Sequence, residues 1–539
     1  MKYDLTQEPW IPCQTSDGRL VELGIVDVIR GAHEIEDIVA DNPPMRSTLL
    51  RMLIAIVRHA SFGNVKMIPS GDWRATWQTG RFEDDVVRYV EDRRTSFDLF
   101  DELRPFAQIP GLEIVETKKV KGQNVIIPRP SSIGSIIIDR PSGNNATLFD
   151  HVSDGDCPPL TPAQAARHML TYMQNSATGN TAAYRASGVD LLEKPGHASF
   201  APLRKGYCVT VQGQNLFETI LLNAFSRTGT LQTDEDEPWW EVPAEEIVRL
   251  ARKGTQQVPK GIMSLYTWPT RLLRLVEEDG MVVGIHDTLG VKIHPSYPDP
   301  MKMYRESKTG ETTPVSPSGD RGFWRDFGAA MCGAKLARGG FHKHGRTAAI
   351  DRLSNDASLG IPRSRRMSLR AIAVDGNKGD IHGLVDDSTP LPTDVLGDQD
   401  RAQWSAEAIK IAEAEVQFLY KLILGVLRRR VSRSACLGEV KRSKLPPSIY
   451  GLLDDCRSFF WSRIRTPYLD AISEPDTDAA QRTWRAAVGN AMNATFDHLV
   501  AHVGLDTNMV LALQHAPTAL ANRIRKLISQ GPESEEEGD

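Results

Sequence analysis

Apolar residues recur at helical spacing at Leu49, Leu50, Leu53, Ile54 and Val57, which predicts a buried helix from Met45 to Ala60, entered through Pro43-Pro44. Upstream, Trp10 and Ile11, a turn at Asp17-Gly18, and then Leu20 and Leu23 predict a short hairpin. Thr161 before Pro162 has the form of an N-cap with proline at the first helical position. It opens a helix through Ala165, Met169, Leu170 and Met173 that ends near the polar stretch from Asn175 to Gly188. From Arg271 the pattern changes to strands, Arg271 to Val276 and Met281 to Ile285, joined around Asp279-Gly280. A second pair, Arg370 to Val374 and Ile381 to Val385, is joined by Asp375-Gly376-Asn377-Lys378-Gly379. Two glycines and an asparagine permit positive φ there, so a protruding hairpin with a positively charged tip is predicted. Beyond Pro390-Leu391-Pro392 come four helical patterns, Trp404 to Arg430, Ser448 to Ile472, Ala479 to Val503 and Asp506 to Ile528, with breakers at Pro446-Pro447 and Gly504. Amphipathic segments of similar length joined by short links are what an antiparallel four-helix bundle requires.

The 539 residues suffice for two or more domains, and 40% hydrophobic with 25% charged residues is the make-up of a folded globular chain. No run approaches the roughly 20 apolar residues of a membrane span, and the opening MKYDLTQEPW has no apolar secretory core, so a cytoplasmic location is expected. Six cysteines are scattered without a CxxC pair, as buried thiols in a reducing compartment would be. A net charge of −5 excludes a simple basic nucleic-acid binder, so any such contact must be local. Charge reverses from Arg321 to Arg370, where eleven Lys and Arg residues outnumber Asp326, Asp351 and Asp356. That run reads either as a solvated face or as a phosphate-tracking surface. His342 and His344 lie beside Lys343 and Arg346 without an Asp/Glu/His set at metal-ligand spacing, and no GxSxG, Walker A loop or HD pair occurs. No catalytic residue, metal or cofactor is expected.

The order of several motifs resembles the CasA family, the large subunit of the type I-E CRISPR surveillance complex, Cascade. EPWIP at Glu8 to Pro12, FDLFDELRPFAQ at Phe97 to Gln108, TWPTRLLRL at Thr267 to Leu275, DPMKMYR at Asp299 to Arg305 and the helical C-terminus follow one another as in that family. Trp10, Phe97, Phe100 and Phe106 are expected to be core anchors, because aromatic rings supply so much buried area. The resemblance implies an α+β fold: a large mixed α/β N-terminal domain over residues 1–399, then the four-helix bundle over residues 400–530. An acidic tail, residues 531–539, is expected to be disordered.

It also implies a non-catalytic subunit that recognises a short flanking motif in double-stranded target DNA, starts unwinding, and docks a helicase–nuclease. The implied partners are the other Cascade subunits, the guide RNA, double-stranded target DNA and that effector, with no membrane and no cofactor. Guide pairing reads the sequence, and the protein supplies a starting point for a nearly balanced strand exchange. Four elements carry over by resemblance. A loop contacting the guide end and adjacent subunits falls at Ser142 to His151, with Asn144, Asn145 and Phe149. A glycine-rich loop approaching the minor groove falls at Gly179, Asn180 and Thr181, although family members can be richer in glycine there. A minor-groove lysine falls at Lys292. A wedge falls at Asn377, Lys378 and Gly379, where Lys378 stands in place of an expected glutamine and Asn377 offers the amide. Arg428, Arg429 and Arg430, at the end of a bundle helix, are further expected DNA contacts, or else cations favoured by the helix C-terminal dipole. The rival readings are an architectural assembly subunit and a metal-dependent nuclease.

Overall fold

The computed structural model describes the chain apart from Lys66, Ser296, Arg363 and residues 121–122, 141–156, 187–188, 193–195, 226–232, 307–311, 318–320, 333–343, 377–379, 435–445 and 530–539. The fold is α+β, and the chain divides into two compact units, Met1–Gly319 with Gly333–Thr393, and Asp320–Cys332 with Asp394–Asp539.

The first unit is organised around helix Pro43–Phe62, whose start is set by the Asn42 side chain accepting from Met45 N at 3.0 Å and by the two prolines behind it. This helix is buried along most of its length and packs on helices Pro162–Asn175 and Ile262–Tyr266 and on strand Met367–Asp375. Apolar spacing does not account for all of it, because Arg46, Arg51 and Arg58 are buried on it too. Each has a partner: Arg46 grips Asp37, Arg51 meets Asp299 Oδ2 at 2.8 Å beneath the Tyr266 ring, and Arg58 donates to the carbonyls of Ala224 and Val65. Burial drives the Arg58 guanidinium down to about 10.

Small antiparallel sheets surround the helix. The opening hairpin, Ile11–Thr15 with Leu20–Leu23, gains Ile35–Ile38 as a third strand. Strands Arg271–Glu278 and Met281–Leu289 turn through Asp279 and Gly280 at φ 52° and 82°, the positive pair that a tight hairpin turn needs. Strands Met367–Asp375 and Gly383–Leu391 pair from Met367↔Leu391 to Asp375↔Gly383 and continue into Cys208–Gln212. The sequence motifs are embedded in this core. Trp10, Phe97 and Phe106 are buried and Phe100 half-buried. The Trp10 indole donates to Leu5 O, Gln108 receives Leu275 N, and Asp299 is the Arg51 partner.

The second unit is helical, with Gln399–Ser434, Pro447–Ser473 and Thr477–Val503 where three of the predicted helices lie. The fourth is not one helix but two, Thr507–Leu513 and Ala516–Ser529. Pro517 has no N–H to offer the preceding turn, so the break falls just before it. A division at residue 400 also leaves out a piece of this unit. Phe323–Asp326 and Phe327–Cys332 pack against Gln399–Ser434, so closely that a Cβ on Gly328 would lie 2.4 Å from Ala406 Cα. Trp324 meets Trp461 and Tyr468, and Arg325 stacks 3.5 Å over the Trp461 ring. Among the described residues no helix is long and apolar enough to cross a membrane.

Candidate nucleic-acid interface

Two of the predicted elements meet at one groove of the first unit. Helix Pro162–Asn175 starts in a capping box between Thr161 and Gln164 and ends at extended Ser176, which sends the chain out into Ala177, Thr178, Gly179, Asn180 and Thr181. Gly179 and Asn180 form a two-residue strand against His197–Ala198, and Thr181 Oγ1 donates to Gly196 O at 2.9 Å. This loop lines a groove of about 480 Å³, and so do Asp380, Ile381 and His382, which follow the hairpin tip. The tip itself, Asn377, Lys378 and Gly379, lies outside the described residues, but its base is fixed. His382 N donates to Asp375 O, and Gly376 comes so close to Asp380 O that a Cβ there would stand 2.0 Å away.

Two of the three arginines that line the groove, Arg204 and Arg271, are engaged within the chain; Arg140 is the third. Arg271 donates to Ala177 O and lies beside Tyr172 and Asp287; burial opposes its charge, but those two neighbours outweigh it and raise its pKa. Arg204 donates to Asp380 O at 3.0 Å, with burial pulling its pKa down. Each therefore holds one of the two loops in place. The exposed lining includes Asn180 and the carboxylates of Asp139 and Asp380, and a Cβ placed on Gly179 would meet nothing within 4 Å. Packing within the chain does not demand a glycine at that place. A missing side chain in front of open space leaves the backbone accessible to a ligand edge.

The family model for CRISPR-associated protein Cse1 matches residues 4–495. The chain belongs to the Cse1 family. Within it, a curated CasA/Cse1 protein of Thermus thermophilus is 30% identical over 502 residues, which is 91% of each chain. The crystal structure of Thermus thermophilus CasA superposes with a TM-score of 0.76 at 25% identity, covering 98% of this chain and 100% of that one. A chain from a CRISPR RNA-guided surveillance complex shares the fold, with a TM-score of 0.71 at 20% identity over 96% of this chain and 99% of its own.

Lys292 does not line the groove; it is half-buried, and its carbonyl accepts from Gln257 N at 2.7 Å. Arg429 Nε donates to Ala512 O and Arg430 pairs with Asp506 at 2.7 Å, so both tie helix Gln399–Ser434 to the Thr507–Leu513 segment. Four arginines of the basic run are engaged within the chain as well. Arg321 binds Asp326 and Glu413, Arg352 binds Asp356, Arg365 binds Glu218, and Arg370 binds Asp37 and Asp386. Neither a solvated face nor a phosphate track describes those four. Asn144, Asn145 and Phe149 lie outside the described residues, as do His342 and the acidic tail. Sequence reasoning missed Arg204 and Arg271, which hold the groove together. Arg271 sits inside the TWPTRLLRL motif, and a charged residue heading the apolar start of a strand was the available signal.

Proposed function

We propose that this chain is the large, non-catalytic subunit of a type I-E RNA-guided surveillance complex. In this reading it recognises a protospacer-adjacent motif in double-stranded DNA, starts duplex unwinding and R-loop formation, and helps recruit the helicase–nuclease. Other Cascade subunits and the guide RNA are its standing partners. The observation that carries the reading is the convergence of an open glycine loop and the base of a hairpin on one groove. The loop's unobstructed backbone and the Asn180 amide suit a narrow, mostly acceptor-lined minor groove, and the hairpin whose base lines the same groove is the element that would hold the first opened step. Lys292 is secondary in this reading because it does not line the groove, and Arg428, Arg429 and Arg430 are secondary because Arg429 and Arg430 are engaged within the helical unit.

A wedge need supply little energy. Strand exchange is close to balance, and one stacked step is worth about 1.4 kcal/mol, so holding a single step open decides whether unwinding starts. The test is the rate of R-loop formation by the assembled complex on intact duplex and on a target whose first pairs are already unpaired. Shortening Asn377-Lys378-Gly379 to a tight turn should slow the first and spare the second. An unchanged rate on intact duplex would remove the wedge. Equal loss on both substrates would favour the architectural reading, in which the chain serves assembly alone.

A further inference from the structure

Among the described residues, three side chains able to ligate a metal converge on the surface of the helical unit, far in sequence from the groove residues. We propose that Asp455, His498 and His502 form a binding site for a divalent transition-metal ion of the zinc class, bridging helices Pro447–Ser473 and Thr477–Val503. His498 and His502 stand four residues apart, on one face of their helix, and Asp455 reaches them from the neighbouring helix. One donor atom from each lies within 4.8 Å of the other two.

The details around the donors favour a ligand set over a simple ion pair. His502 Nδ1 lies 2.9 Å from His498 O, and donating to that carbonyl leaves Nε2 with its lone pair outward, the arrangement that orients metal-binding histidines. The His498 ring is stacked on Phe459, with centroids 4.1 Å apart and planes 11° apart, so its orientation is set before any ion arrives. His498 Nε2 faces Asp455 Oδ2 at 2.7 Å. A tetrahedral ion with bonds of about 2.0–2.1 Å separates its donors by roughly 3.3 Å. A small widening of that pair and a closer approach of His502 are therefore needed, and both Asp455 and His502 are exposed. The two imidazole centroids lie 4.0 Å apart, close enough for both rings to reach one cation.

Two imidazoles and a carboxylate select zinc and its first-row neighbours over calcium or magnesium, which take oxygen donors. The fourth position would hold water, since the site opens to solvent. As the ion takes His498 Nε2, the single ring proton shifts to Nδ1, so the imidazole binds as a neutral ligand. The result would be a cross-link between two bundle helices, requiring no catalytic role.

Calorimetric titration of the full, tag-free chain with ZnCl2, and visible absorption with CoCl2, would test the site. One ion per chain is expected, with a cobalt d–d band and a rise in melting temperature on adding zinc. His502→Gln and Asp455→Asn should each weaken binding about tenfold or more while leaving the zinc-free melting curve in place. His502 is exposed, so its variant separates lost binding from lost folding. Absence of zinc heat and of a cobalt band in folded protein would overturn the proposal, and so would undiminished affinity in His502→Gln.

Discussion

Gly179→Leu separates the groove's role in binding from its role in the fold. A Cβ at that position meets no atom within 4 Å, and Gly179 is not among the residues with positive φ, so neither packing nor backbone strain opposes the change. Substitutions at such surface positions shift stability by no more than about 0.5 kcal/mol. The new side chain would instead fill the space where a base edge has to approach the backbone. Loss of one base-edge contact is worth about 1–3 kcal/mol, or roughly 5- to 150-fold in affinity. The assay is equilibrium binding of the assembled complex to duplex with and without the flanking motif, alongside thermal melting of the isolated chain. Flanked-duplex affinity should fall towards the unflanked value while the melting temperature stays put. Wild-type affinity for flanked duplex in the leucine variant would refute the groove as the reading surface, and a melting temperature lowered by several degrees would refute the account of the open space.

Asp299→Ala should cost about 3–5 kcal/mol in urea unfolding, because it strands the fully buried Arg51 guanidinium; a cost below 1 kcal/mol would mean that solvent reaches the pair. His286 accepts from Ile114 N, and burial, then Arg274, push its pKa down to about 4. The unfolded chain therefore binds this proton first: its contribution is fully present above about pH 6.5 and is lost as pH falls to about 4, a loss of about 3 kcal/mol. His286→Gln should flatten that part of the stability profile, and an unchanged slope would show that another group titrates there. Replacing Arg429 and Arg430 by alanine should leave the salt dependence of target binding unchanged and lower bundle stability modestly, by less than about 1 kcal/mol for the exposed Arg430–Asp506 pair. A reduced salt slope would place those arginines on phosphates instead.

Local signals carried well where the determinant was local. The Thr161-Pro162 cap, the Asp279-Gly280 turn and the strand before Gly376 lie where the pattern put them, because caps and tight turns are decided within a few residues. The return strand, by contrast, runs Gly383–Leu391 rather than Ile381 to Val385. The fourth bundle helix was drawn as one because its apolar spacing continues through Pro517, yet the missing N–H outweighs that continuity. Buried Arg46, Arg51 and Arg58 were not legible, since partners such as Asp299 and Ala224 lie far along the chain. The same limit applies to the groove. The glycine loop and the hairpin were each visible, but their meeting depends on Arg204 reaching Asp380 and Arg271 reaching Ala177, contacts no sequence spacing encodes.

Because residues 320–332 complete the second unit, the order of synthesis matters. Trp324 and Phe327 leave the ribosome well before the helices they pack on, Pro447–Ser473 for Trp324 and Gln399–Ser434 for the Phe327–Cys332 helix. Throughout that interval an apolar strip waits without its partner, and only when translation reaches the C-terminal helices can it be sheltered. Expression of this chain should therefore respond to chaperone supply and to translation speed across Gly333–Thr393. A fragment started at residue 400 would carry the opposite defect, a helix surface at Ala406 shaped for a segment that was never made.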